Sequence, residues 1–150
     1  MAATSASGPF ARGIAVPRPA VPAAYALGAL FQLGEAAVHV QQYVTIFHAV
    51  RWVGPLFLAN AVASVLSVAA LGHPRTRSLG ALAGVVISVV ALGSLVVSYG
   101  EGLFGWQEAG FRTPIAVAVI TEVGAVILLS TGLMLTTLLP GGGAARARDV

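Results

Sequence analysis

Three ionisable side chains, Glu35, His39 and Glu122, lie inside long apolar runs, where a lipid-facing helix would carry leucine or valine. An acid at mid-membrane costs about 2.5 to 3.5 kcal/mol on insertion scales, so such groups ordinarily mark a pathway, a ligand or a partner. Glu35 and His39 stand four apart in "GEAAVHVQQY" (Gly34 to Tyr43), which turns both side chains the same way on a helix. Gly28, Gln32, Glu35, His39 and Gln42 share one helical face, their spacings alternating four and three. The chemistry open to these residue types is proton relay, metal ligation or hydrogen bonding between helices. Two neighbouring carboxyls would not both stay ionised: at least one would hold a proton or share one with His39.

Depth brings further residues into reach. Glu122 lies eight residues inside Pro114, which at the helix rise is about 12 Å below the end of its span. Glu35 lies eight residues inside Tyr43, at a similar depth, with His39 and Asn60 somewhat nearer the outer surface. Glu35, His39, Gln42, Asn60, Ser98 and Glu122 are therefore expected to meet in one polar cluster in the outer half of a bundle. It would serve as a ligand site or proton relay. The plainer alternative is that a neutral Glu and an imidazole only join helices, each bond worth about 0.6 to 2 kcal/mol.

Four segments must position these groups. They run from about Ala20 to Tyr43, from Pro55 to Leu71, from Leu79 to Tyr99 and from Pro114 to Leu139. Each approaches the roughly 20 residues that cross a bilayer, the second being short enough to borrow a turn from the following "GHP". A water-soluble bundle would need a charged outer face on every helix, and the third segment has no charge from Gly80 to Gly100. With 57% of residues hydrophobic and only 9% charged, the polar surface is too small to cover a soluble globule. The fold expected is all-α: an integral membrane four-helix bundle over residues 20–139, between flexible tails at 1–19 and 140–150.

Arginine placement sets the orientation. Arg12, Arg18, Arg75, Arg77, Arg146 and Arg148 fall on one side, and only Arg51 and Arg112 on the other. The positive-inside rule then puts both termini in the cytoplasm. The opening "MAATSASGPFARGIAVPRPA" lacks a compact apolar core and cleavage site, and reads as a cytoplasmic tail rather than a signal peptide. The two outer loops carry Tyr43, Phe47 and Trp52 in one and Phe104, Trp106 and Phe111 in the other, suited to the headgroup level. Setting Pro55 on Pro114 also sets Phe47 on Trp106 and Gly34 on Gly93, a hint of a duplicated two-helix unit. In span three, Gly80, Gly84, Ser88, Ala91 and Ser98 form a small-residue seam that allows close helix approach, and Asn60, Ser64 and Ser67 share a face of span two.

Several functions are excluded outright. The chain has no cysteine, which removes disulfides, thiolate metal sites and thiol catalysis. Its eight basic residues are all arginine and scattered, so nucleic acid is not an expected partner. No Ser/His/Asp set, His-Glu-x-x-His or glycine-rich phosphate loop occurs, and the reading leans away from an enzyme. A bis-histidine haem within one chain is disfavoured, because His48 falls in an outer loop and His73 in the inner turn, leaving His39 alone at depth. A metal on Glu35, His39 and Glu122 is chemically open, but a carboxylate-bridged pair of metals needs more acids and a second histidine. No cofactor is expected, with haem or metal at His39 the exception to test.

Two functions remain. The first is an accessory subunit or interaction protein of a larger membrane complex, such as a respiratory one, packed through the seam of span three. The second is binding or passage of a small ligand, quinone, lipid or proton in the cavity formed by Glu35, His39, Asn60 and Glu122. Membrane lipid is a partner under both, and other membrane subunits or a second copy under the first. The lysine-free, Ala/Gly/Val-rich composition suggests a GC-rich bacterial genome, and so a multi-pass protein of the bacterial plasma membrane. "VGPLFLANAV" (Val53 to Val62) and "GLFGWQEAG" (Gly102 to Gly110), with a histidine in the first span, resemble segments of a group of small four-span membrane proteins of actinobacteria. That resemblance runs from Tyr25 to Leu139. It implies the four-span topology and no activity.

Overall fold

The computed structural model describes residues 19–138; the expected tails, apart from Pro19, and the last residue of the expected bundle, Leu139, lie outside them. Four helices follow one another: α1 (Ala20–Thr45), α2 (Val53–Leu71), α3 (Arg77–Tyr99) and α4 (Thr113–Leu138). A single 3-10 turn, Phe47–Ala49, lies between α1 and α2. All four helices are long and apolar enough to cross a membrane. The first span is helical beyond Gln42, to Thr45, so "GEAAVHVQQY" lies wholly within the helix. α2 gains two residues at its start and none from "GHP": Gly72 caps it, donating its N–H to Val68 and Ala69 carbonyls. Its 19 residues span about 28 Å, close to the hydrocarbon thickness.

The helices run up and down in ring order, each packed on its neighbours in sequence, with α4 closing back on α1. Large apolar side chains point outward from every helix: Leu30 on α1 is 63% exposed, Leu66 on α2 64%, Val96 on α3 71% and Ile120 on α4 63%. Water would not tolerate that continuous exterior, whereas lipid solvates it. The interior sets polar groups beside an apolar core of Tyr25, Leu71, Ala81, Ala125 and Leu129. Gln32, Glu35, Ser64 and Ser88 are fully buried, an inside-out distribution for a soluble protein.

Glycine brings the backbones together where a side chain must be admitted. Leu129 of α4 is fully buried between Gly28 of α1 and Gly84 of α3. A Cβ on Gly84 would stand 2.6 Å from Leu129 Cδ1 and 2.8 Å from Ser67 Oγ, closer than any real contact. The seam of α3 is thus buried within the chain: Gly80, Gly84, Ser88 and Ser98 face inward, and Ala91 is half-buried. Ser67 Oγ donates to the Gly80 carbonyl at 2.8 Å, tying α2 to the same strip. Within the chain the strip serves helix packing, the close approach that its small residues allow. Lipid-solvated helices gain most from backbone proximity to each other, and the chain's own helices occupy the strip first. The hint of duplication also meets a difference: a Cβ on Gly34 would lie 2.8 Å from Thr121 Cγ2, while Gly93 faces open space.

The α3–α4 connection turns back over the bundle. Leu103 and Trp106 exchange both backbone hydrogen bonds, at 2.7 and 2.9 Å, around Phe104 and Gly105. Both central residues have positive φ, 50° and 83°, the pattern of the tight turns that join paired strands. The Glu108 N–H donates to the Ser98 carbonyl at 2.9 Å, and Arg112 grips both Glu108 oxygens at 2.8 and 3.2 Å. This loop is fixed in place, and it brings Trp106 over the bundle end.

Candidate functional site

The shared face of α1 is buried as its spacing requires, with Gly28, Gln32, Glu35, His39 and Gln42 all inside the bundle. Glu122 of α4 is 2% exposed and faces the same space. Ligand atoms of Glu35, His39 and Glu122 all lie within 4.8 Å of one another. His39 Nε2 stands 3.8 Å from Glu122 Oε1, close for an ion pair and long for a hydrogen bond.

Hydrogen bonds fix how each group presents itself. His39 Nδ1 is 2.9 Å from the Glu35 carbonyl. A carbonyl can only accept, so Nδ1 carries the proton, and in the neutral ring Nε2 offers its lone pair toward Glu122. Glu35 Oε2 accepts from Gln32 Nε2 at 3.0 Å and from Ser88 Oγ at 2.6 Å. Gln32 Nε2 also lies 2.7 Å from Ser88 Oγ and 3.3 Å from the Gly84 carbonyl, so α1 and α3 are joined across the core. One oxygen of Glu35 is held from two sides, and the other is left over. Among the described residues, Glu35 Oε1, Glu122 Oε2, Gln42 Oε1, Gln32 Oε1 and Trp106 Nε1 are buried without a hydrogen-bond partner.

Three of these residues, Gln42, Glu122 and Trp106, border a cavity of about 380 Å³ at the end of the bundle that carries the two aromatic loops. Its polar end is made by His39, Gln42, Asn60 and Glu122, and the remaining wall is overwhelmingly apolar. A run of aromatic rings leads from the loops to the histidine. Trp106 meets Phe47 edge-on with centroids 5.0 Å apart, Phe47 stacks on Phe57 at 4.3 Å, and Phe57 meets His39 at 5.0 Å. Packing the imidazole against Phe57 while Nδ1 donates to the Glu35 carbonyl holds it in one orientation.

Of the residues singled out by spacing and depth, Glu35, His39 and Glu122 come together, and Gln42 stands one turn from His39 on the same wall. Asn60 is half-buried and lines the cavity from α2, its Oδ1 accepting from Ser64 Oγ at 3.3 Å. Ser98 also lines the cavity, but its hydroxyl donates to the Leu95 carbonyl at 2.7 Å on its own helix. The loop aromatics divide into two sets. Trp52, Phe104 and Phe111 are 59 to 69% exposed and suit an interface, whereas Phe47 is buried and Trp106 half-buried over the cavity.

Three contributors escaped the sequence reading. Gln32 lay on the right face but was given no role, and Ser88 was one hydroxyl in a seam read as packing. Phe57 gave no signal: an aromatic in an apolar span is ordinary. Comparison with known proteins adds nothing to this geometry, since no family model, no curated protein and no solved structure matches the chain.

Proposed function

We propose that this chain is a multi-pass protein of the bacterial plasma membrane, both termini cytoplasmic, that binds a small apolar ring compound with one polar end. The quinone class fits this description, and the site lies in the outer half of the bundle. The observation that carries the reading is the cavity itself. About 380 Å³ falls within the roughly 300 to 1,000 Å³ usual for small-molecule sites, and apolar walls with a few convergent polar groups are their usual lining. The aromatic run from Trp106 to Phe57 offers faces for a flat ring. His39 Nε2 and the free oxygens of Gln42 and Glu122 accept from the hydroxyls of the reduced quinol form, and a protonated Glu122 donates to a quinone carbonyl. An accessory subunit of a larger membrane complex is the other reading; the α3 seam packs within the chain against α2, α4 and Gln32, so a partner would meet the outward apolar faces instead.

The test uses the intrinsic fluorescence of Trp106, isolated by Trp52→Phe. Purified protein in lipid nanodiscs is titrated with a short-chain benzoquinone. The expected result is saturable quenching with one site per chain, abolished by Ala118→Phe, which fills the cavity wall. Quenching that rises without saturation, or that Ala118→Phe leaves unchanged, reports partition into lipid and overturns the reading.

A further inference from the structure

Glu35, His39 and Glu122 bring ligand atoms within 4.8 Å of one another beside the polar end of the cavity, and once both carboxyls are ionised none of these atoms carries a hydrogen to give the others. His39 Nε2 has its lone pair free because Nδ1 donates to the Glu35 carbonyl. Glu35 Oε1 is left over because Gln32 and Ser88 both donate to Oε2. Glu122 Oε2 has no hydrogen-bond partner among the described residues. The two carboxyls are 0% and 2% exposed, and the imidazole 7%. A buried group of acceptors facing one another calls for positive charge among them: a proton held by a carboxyl, or a metal ion that displaces it.

We propose that Glu35, His39 and Glu122 bind one divalent first-row metal ion, such as Zn²⁺, Fe²⁺ or Mn²⁺, with an open coordination position facing the cavity. One nitrogen and two carboxylate oxygens suit these ions and, with no thiolate, disfavour Cu⁺. Two carboxylates and one divalent ion form a neutral unit, which removes the cost of leaving net charge in the low-dielectric interior. The donors lie within 4.8 Å of one another, and an ion with bonds of about 2.0 to 2.2 Å would draw them in by carboxylate rotation. The surrounding bonds are those that metal ligands ordinarily receive. The histidine's other nitrogen is held by a backbone carbonyl, and a carboxylate is oriented by the Gln32 and Ser88 donors. The objection from the sequence, too few acids and a single histidine, concerns a two-metal centre. A mononuclear site needs three ligands and has them. His39 and Glu122 both border the cavity, so the fourth position opens onto it, with Gln42 Oε1 one turn away on the same wall.

The test uses the full chain, purified in detergent and stripped with a chelator. Co²⁺ is titrated while its visible ligand-field absorption is followed, and Zn²⁺ is then added in competition. The expected result is a saturable band at one Co²⁺ per chain, displaced by Zn²⁺, absent in His39→Gln and unchanged in Glu101→Gln, an exposed acid outside the site. Ser88→Ala, which removes only a support of Glu35, should weaken binding about 10- to 100-fold. Circular dichroism accompanies each variant; should His39→Gln not fold, the wild-type titration and Ser88→Ala decide alone. A wild-type protein without a saturable band, or a Glu101→Gln variant that loses as much as Ser88→Ala, overturns the proposal. The benzoquinone titration on stripped protein is a separate readout, so either reading fails without the other.

Discussion

Replacing Glu35 by glutamine and, separately, by lysine probes the buried network at its most connected point. Glu35 is fully buried, and its Oε2 accepts from Gln32 and Ser88 at 3.0 and 2.6 Å. Glutamine keeps an acceptor there and puts an amide where Oε1 has no hydrogen-bond partner among the described residues. The expected cost is under about 1 kcal/mol, the loss of charge assistance in one bond. Lysine has only donors, so neither the Gln32 amide N–H nor the Ser88 O–H finds an acceptor at residue 35. Two bonds worth about 0.6 to 2 kcal/mol each are lost. Placing an ammonium at that depth adds about 2.5 to 3.5 kcal/mol. The lysine variant should therefore be destabilised by about 4 kcal/mol or more. Unfolding by SDS in mixed micelles, followed by circular dichroism, compares the three proteins directly. A lysine variant as stable as the glutamine variant would refute the reasoning, because residue 35 would then reach water or headgroups.

Two further outcomes follow from the packing and the topology. Gly84→Val places its Cβ within 2.6 Å of Leu129 and 2.8 Å of Ser67, and should cost about 1 to 3 kcal/mol in the same assay, whereas Gly93→Val, facing open space, should change little. Cysteines at Thr45 and Gly105 should react with an impermeant thiol reagent in intact cells while one at Thr76 should not; the reverse labelling would invert the orientation.

The four helices were legible because lipid solvation leaves a coarse record. A run of about 20 apolar residues has few alternatives in water, and the absence of charge from Gly80 to Gly100 excluded a soluble face. Helix ends were read less well. α2 starts at Val53 rather than Pro55, because proline is accommodated within the first turn and does not have to open it. The buried face of α1 was legible for the same reason as the spans: polar residues at four-three spacing in an apolar helix have only one side on which to be satisfied.

Contacts between helices were beyond the sequence, since they depend on which residue of another helix arrives at the same height. Counting residues from the helix ends matched the depth of Glu122 to that of Glu35. It could not show that Ser88 and Gln32 would both take one oxygen of Glu35. Nor could it show that Phe47 and Trp106, alike in composition to the exposed Trp52 and Phe111, would turn inward over a cavity. That turn depends on the positive-φ pair Phe104–Gly105 and on the Glu108–Ser98 backbone bond, both products of the closed loop. Helical periodicity and hydrophobicity are local and one-dimensional, so the sequence alone determined the apolar helices, the polar stripe and the position of each ionisable group along its helix. The partner of each oxygen, the closed seam and the cavity are distances between segments, and only packing in three dimensions decides those.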